Sequence, residues 1–179
     1  MKFTKTLIFL GASLSASSSF ANILVNPGFE TGDLTGWTTS SFTVTNNDAH
    51  TGTWSVINNG NFTIEQTFAP VNPADITEVS VWAKQPDLGG FFFAIDFLYY
   101  DSSYEEFFGS SGDQTVWTKF DFTSDLNTSK SLVGIRLYGN SGGTTQYDDL
   151  TVNVNAVPEP ATLAVLGLGA VAMIRRRKK

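Results

Sequence analysis

The 179-residue chain contains no cysteine, so it has no disulfide framework, no thiolate nucleophile and no cysteine-based zinc site. Histidine is almost as scarce. His50 is the only one, and it sits in a Gly/Thr/Asn-rich turn without the nucleophile-elbow pattern of a Ser-His-Asp hydrolase. Helix signals are missing between Asn22 and Asn155, with no capped apolar run of helical period. Cations are thin there as well. Only Lys84, Lys119, Lys130 and Arg136 of the 11 basic residues fall in that stretch, against 16 of the 17 acids, so it carries a net charge of −12 where the whole chain carries −6. With no cationic stripe to neutralise phosphates, nucleic acid is not expected as a partner. Such acidity suits solubility outside the cell and the binding of divalent cations.

Basic charge is concentrated at the two ends. Lys2 and Lys5 precede the apolar run Leu7 to Leu14, a Ser/Ala-rich stretch follows, and Ser19-Phe20-Ala21 places small residues at the two positions read by signal peptidase. Residues 1–21 are therefore expected to form a signal helix cleaved after Ala21. At the other end, Val157-Pro158-Glu159-Pro160 precedes an uncharged run from Ala161 to Ile174, and Arg175 to Lys179 are all cations. The two prolines fix φ twice and remove two N–H donors, which predicts an extended stretch suited to a protease cleft. As a helix, residues 161–174 would span about 21 Å, short of a roughly 30 Å hydrocarbon core. Snorkelling cations make up part of that deficit, and by the positive-inside rule they stay in the cytoplasm. In this order the parts of residues 157–179 resemble the PEP-CTERM sorting signal of Gram-negative bacteria. That resemblance implies an exosortase as processing enzyme, transient passage through the inner membrane, and delivery to the cell surface or extracellular polymer.

Between the ends, residues 22–155 are the size of one domain. Runs rich in Val, Ile, Thr, Phe, Tyr and Trp alternate there with Gly, Asn, Asp and Ser. They predict about ten strands: Ile23–Val25, Trp37–Thr45, Thr53–Asn58, Phe62–Phe68, Glu78–Lys84, Phe91–Asp101, Tyr104–Phe108, Val116–Phe122, Leu132–Tyr138 and Tyr147–Val154. The fold class expected is all-β, an antiparallel sandwich or jelly roll.

Period-two alternation assigns faces to these strands. Val79, Val81 and Ala83 point inward, leaving Glu78, Ser80, Trp82 and Lys84 outward. Val133, Ile135 and Leu137 point inward, leaving Leu132, Gly134, Arg136 and Tyr138 outward. Phe91, Phe93, Ile95, Phe97 and Tyr99 point inward, leaving Phe92, Ala94, Asp96, Leu98 and Tyr100 outward. The outward sets offer flat rings at Trp82, Tyr100 and Tyr138 and hydrogen-bonding heads at Asp96, Lys84 and Arg136. A sugar wants that pairing, with C–H faces to stack and hydroxyls to bind. Trp82, Asp96, Tyr100, Arg136 and Tyr138 are accordingly the expected ligand-binding residues, forming one groove if their strands are neighbours. The competing expectation is that a loop or cross-strand neighbours cover the rings and that the charges are simply solvated.

A second resemblance rests on Asn26-Pro27-Gly28-Phe29-Glu30, Gly36-Trp37, His50-Thr51-Gly52-Thr53-Trp54-Ser55-Val56 and Tyr147-Asp148-Asp149-Leu150. Together these resemble the jelly-roll carbohydrate-binding modules of the family 4, 9 and 22 type and related galactose-binding-like domains. The resemblance implies a structural calcium held by the Gly28 and Gly52 carbonyls and the Glu30 and Asp148 carboxylates, chemistry that suits a hard cation. Asp148 and Asp149 are adjacent in a strand, so only one is expected to face inward. Glu105 and Glu106 are likewise expected on opposite faces, which makes them a poor glycosidase pair. The function expected is a secreted, non-catalytic, surface-sorted module that recognises polysaccharide. The alternative is a structural or adhesion matrix protein without a sugar site, and behind it a glycoside-acting enzyme.

Overall fold

The computed structural model describes residues 20–85, 93–109, 115–140 and 142–155. Residues 1–19 of the expected signal helix, the hydrophobic helix at 161–174, and Val157, Pro158, Glu159 and Pro160 lie outside the described residues, as do Phe91 and Phe92. Among the described residues no helix is long and apolar enough to cross a membrane.

The strands are β1 (Phe20–Asn22), β2 (Thr38–Thr39), β3 (Thr43–Thr45), β4 (Ser55–Asn59), β5 (Thr63–Val71), β6 (Ile76–Lys84), β7 (Phe93–Tyr99), β8 (Tyr104–Gly109), β9 (Thr118–Asp121), β10 (Leu132–Tyr138) and β11 (Thr144–Asn155). They form two antiparallel sheets. One runs β3-β4-β11-β6-β9, with β1 also on β11, and the other runs β2-β5-β10-β7-β8. The fold is an all-β jelly-roll sandwich, as the strand spacing indicates.

Alternation builds the core between the sheets. Val79, Val81 and Ala83 of β6 and Tyr147 and Val152 of β11 belong to the same buried cluster as Ile95, Phe97 and Tyr99 of β7 and Ile135 and Leu137 of β10. Each such side chain contributes about 1.5–3 kcal/mol through burial, which lets a domain without disulfides hold together. Asn22 ties the entering chain to the last strand. Its amide donates to the Leu150 carbonyl at 2.8 Å and its Oδ1 accepts the Val152 N–H at 3.1 Å.

Several elements depart from the sequence expectation, each for a local reason. The run Trp37–Thr45 is two strands in different sheets, because Thr39 pins a turn: its hydroxyl donates to the Thr63 carbonyl and accepts the Phe42 N–H, both at 2.9 Å. At the start of β10 the inward residue is Leu132, while Val133 is only half-buried. A bulge between Leu132 and Gly134 shifts the alternation there. Gly134 suits that bulge, since a Cβ would lie 2.9 Å from the Gln66 carbonyl oxygen. The first strand comes earlier than Ile23–Val25, so the expected cleavage point after Ala21 falls inside β1, where Phe20 and Ala21 pair with Asn155 and Val154.

Candidate functional site

Register on the five-stranded sheet sets Thr38, Glu65, Arg136, Asp96 and Glu106 in one row across β2, β5, β10, β7 and β8. All face outward. Arg136 is the hub: its Nε donates to Glu65 Oε2 at 2.7 Å and its Nη1 to Asp96 Oδ2 at 3.3 Å. Tyr138, one outward position further along β10, donates its hydroxyl to the same Asp96 Oδ2 at 2.7 Å. The Asp96 side chain has 0% exposure, and its Oδ1 has no hydrogen-bond partner among the described residues. Burial pushes the Asp96 carboxyl above the usual range even though Tyr138 and Arg136 pull it down. The Tyr138 phenol is also raised, first by burial and then by its bond to Asp96.

Two depressions flank this network. One, of about 410 Å³, is lined by Ala94, Glu106, Phe108, Tyr138 and the Gly139-Asn140 corner. The other, of about 370 Å³, is lined by Thr38, Thr39, Ser40, Thr63, Glu65 and Arg136. Phe108 is 51% exposed and Tyr104, on the same face of β8, is 61% exposed. Rings, acceptors and a hollow thus occur together on this face.

Of the five expected ligand residues, the structure brings Asp96, Arg136 and Tyr138 together and separates the other two. Trp82 is on β6, in the opposite sheet. Its ring is covered by His50, stacked at 3.6 Å between centroids and 16° between planes. The 46–54 loop that carries His50 also closes over Lys84, which pairs with Asp48, while Trp117 Nε1 donates to Asp48 at 3.2 Å. Tyr100 follows the end of β7 and is 74% exposed beside Asp101 and Lys130, outside the two depressions. Sequence reasoning missed Glu65 and Phe108 and weighed Glu106 only against Glu105. The alternation Thr63-Glu65 on β5 and Glu106-Phe108 on β8 carried a signal for all three.

The residues expected to hold calcium gather around the bulge in β11, on the six-stranded sheet. Gly28 lies where a Cβ would stand 3.5 Å from Asp148 Oδ1, 3.2 Å from Asp149 Oδ1 and 3.8 Å from Glu30 Cγ. Gly52, at φ +67°, leaves no room for a Cβ against the Glu30 carboxylate. Glu30 accepts the Thr53 and Trp54 N–H groups at 3.0 and 2.8 Å. Asp148 is buried and accepts the His50 N–H at 2.8 Å and the Asp149 N–H at 2.7 Å. Its carboxyl is pushed up to about 6, first by burial and then by the charge of Asp149. Asp149 faces the same loop. Only Asp148 is buried, as expected of adjacent acids, but Asp149 still reaches this loop because it takes φ +44° in a bulge between Asp148 and Thr151. Its carboxylate meets His50 Nδ1 at 2.6 Å and the Thr51 hydroxyl at 2.8 Å.

Among the described residues that His-Asp pair has no nucleophile. Thr51 bonds Asp149 rather than the imidazole, and among the described residues no hydroxyl bonds the other ring nitrogen. Glu105 turns away from the outer face to accept the Tyr99 hydroxyl at 3.0 Å and the Asn127 amide at 2.7 Å. Glu106 and Asp96 are direct cross-strand neighbours, but the full burial of Asp96 closes it to a substrate.

Known structures share this architecture. A family 16 carbohydrate-binding module aligns with TM-score 0.56 at 19% identity, over 73% of this chain and 98% of its own. The module TmCBM61, solved in complex with β-1,4-galactotriose, aligns with TM-score 0.53 at 19% identity, over 76% of this chain and 99% of its own. The CBM22-1 xylan-binding domain from Paenibacillus barcinonensis Xyn10C aligns with TM-score 0.52 at 16% identity, over 80% of this chain and all of its own. No curated protein sequence matches the chain. Residues 156–178 match the PEP-CTERM protein-sorting motif. The chain therefore joins a domain with the jelly-roll fold of carbohydrate-binding modules to a C-terminal PEP-CTERM sorting motif.

Proposed function

We propose that the protein is exported, sorted by an exosortase to the cell surface or extracellular matrix, and there binds polysaccharide without acting on it. The observation that carries the sugar reading is the open depression in which Tyr138 and Phe108 offer ring faces and Glu106 an acceptor. A pyranose presents the complementary surfaces, apolar C–H faces and donor hydroxyls. The fold shared with sugar-binding modules supports it, as does a sorting motif that implies delivery to a polysaccharide-rich setting. A glycan array probed with the full chain in mild detergent tests it. Binding that falls by roughly tenfold or more in Tyr138→Ala is expected, as for a central aromatic anchor. No binding to any glycan would leave the matrix or adhesion reading, which the covered state of Trp82 favours for the opposite face.

Calcium at the β11 bulge is part of the same proposal. Among the described residues no three His, Asp or Glu side chains form a metal-binding group, so an ion there would draw on backbone carbonyls as well as carboxylates. The donors suit it: the Glu30 and Asp148 carboxylates and the close-packed Gly28 and Gly52 are all oxygen sources for a hard cation. Buried Asp148 also stands beside a second acid, and among the described residues no Lys or Arg is bonded to either. The backbone is strained here too, with Asn26, Phe29 and Asp149 all at positive φ. A bound cation would offset the mutual repulsion of these acids. Thermal melting should shift downward in EDTA and recover with calcium, and a melting curve indifferent to both would overturn this assignment.

A further inference from the structure

Taking the glycan reading as its base, we infer that the depression at Glu106 favours an amino sugar with a free, protonated amine over neutral or uronic sugars. The argument starts from which groups are already spent. Arg136 has its guanidinium tied to Glu65 and Asp96, and the Tyr138 proton is given to Asp96. The donors of the row therefore point to one another. What remains outward is acceptor: the Glu106 carboxylate, which finds no hydrogen bond or ion pair among the described residues and lines the hollow, whereas the Tyr138 oxygen is already engaged by Arg136.

The charge of the row points the same way. Directly across from Glu106 stands Asp96, a second acid whose burial keeps it from touching a ligand but whose charge adds to the row. The row thus holds three carboxylates, Glu65, Asp96 and Glu106, against one guanidinium, in a domain of net charge −12. A ligand that carries carboxylates or sulfates is repelled. A neutral sugar brings hydroxyl donors but no charge. A protonated amine brings three donors and a positive charge, and hydrogen bonds with an ionised partner are about twice as strong as neutral ones. With Phe108 and Tyr138 beside Glu106, the same hollow stacks the sugar ring and attracts the cation through the ring faces.

The test compares short oligosaccharides by calorimetry on the full chain in mild detergent at physiological salt: glucosamine oligomers, their N-acetylated counterparts, neutral xylo- and galacto-oligomers, and uronate oligomers. Glucosamine oligomers should bind roughly three- to tenfold tighter than the acetylated set, the range expected of one partly exposed charge contact. That preference should collapse toward unity in Glu106→Gln and persist in Asp125→Asn, which removes the same charge from an exposed 3-10 turn after β9. It should also fade as pH rises and the amine loses its proton. Equal binding of amine, acetylated and neutral oligomers would overturn this inference while leaving the glycan reading intact. A preference unchanged by Glu106→Gln would overturn it as well, showing bulk attraction to an acidic domain. Failure of every oligosaccharide would remove the glycan reading itself.

Discussion

The two outer faces of the sandwich use the same residue types to opposite ends. On the six-stranded sheet, Trp82 lies beneath His50, Lys84 is paired with Asp48, and Lys119 is paired with Glu78 at 2.6 Å. A loop has folded down over Trp82 and Lys84, while Glu78 and Lys119 pair between neighbouring strands of the sheet itself. On the five-stranded sheet, Arg136 and Asp96 are tied up by neighbours in their own sheet, and Tyr138, Phe108 and Glu106 line an open hollow. An outward aromatic next to outward charge is therefore not yet a site. It becomes one where the charges are satisfied within the sheet and the ring is left uncovered.

The sharpest way to break this comparison is to remove the cation from each face. Arg136→Ala strands buried Asp96 without a counter-charge, and the expected loss is about 3 kcal/mol, the low end for breaking a buried pair since the Arg136 side chain is 30% exposed. Lys84→Ala exposes Asp48, already 36% open, to water, and should cost no more than about 1 kcal/mol. Urea unfolding of the two variants measures both losses. Equal losses would show that the buried row is no more central to the fold than the loop contact.

Removing the aromatics sharpens the functional half. Tyr138→Ala should lose glycan affinity by roughly tenfold, about 1.4 kcal/mol, with its stability cost secondary. Trp82→Ala should do the reverse, leaving glycan affinity within about twofold while destabilising the domain by about 1–2 kcal/mol through the emptied space under His50. Titration and thermal melting of the same pair separate the two effects. Loss of binding in Trp82→Ala would move the site to the six-stranded sheet.

The inward pattern was legible in the sequence because burial forces alternation. Val79, Val81, Ala83, Ile95, Phe97, Tyr99, Ile135 and Leu137 all point into the core. Alternation says which side of a strand faces water, however, and not which strand lies beside it. Trp82 and Tyr138 read alike in sequence and ended on opposite surfaces because β6 joins β11 and β9 while β10 joins β5 and β7. The bulges at Leu132–Gly134 and Asp148–Thr151 were invisible for a related reason: one added residue reverses the alternation, and only the partner strand reveals it. The resemblance named Gly28, Glu30, Gly52 and Asp148 as a set, and they come together in one corner, where a Cβ on Gly52 would strike the Glu30 carboxylate and one on Gly28 would crowd those of Asp148 and Asp149.

The smallest expected effect distinguishes the faces by the sign of their pH dependence. On the five-stranded sheet the folded Asp96 carboxyl lies above its unfolded value, mainly through burial. Its stabilising share is thus complete below about pH 3.9 and is lost as pH rises through the folded value. On the six-stranded sheet the folded Glu78 carboxyl lies below its unfolded value, chiefly through its bond to Lys119 and then to Ser80. Its share is complete above about pH 4.3 and is lost as pH falls through the folded value. Replacing each acid by its amide removes that group's titration. The stability of Asp96→Asn relative to the unmodified protein should therefore improve as pH rises from acid toward neutrality, while that of Glu78→Gln should worsen over the same range. Melting temperatures across that range give the two slopes. Slopes of the same sign would mean that the buried row and the solvated pair share one electrostatic environment, and that the division between a consumed face and an open one does not reach the charges beneath Tyr138.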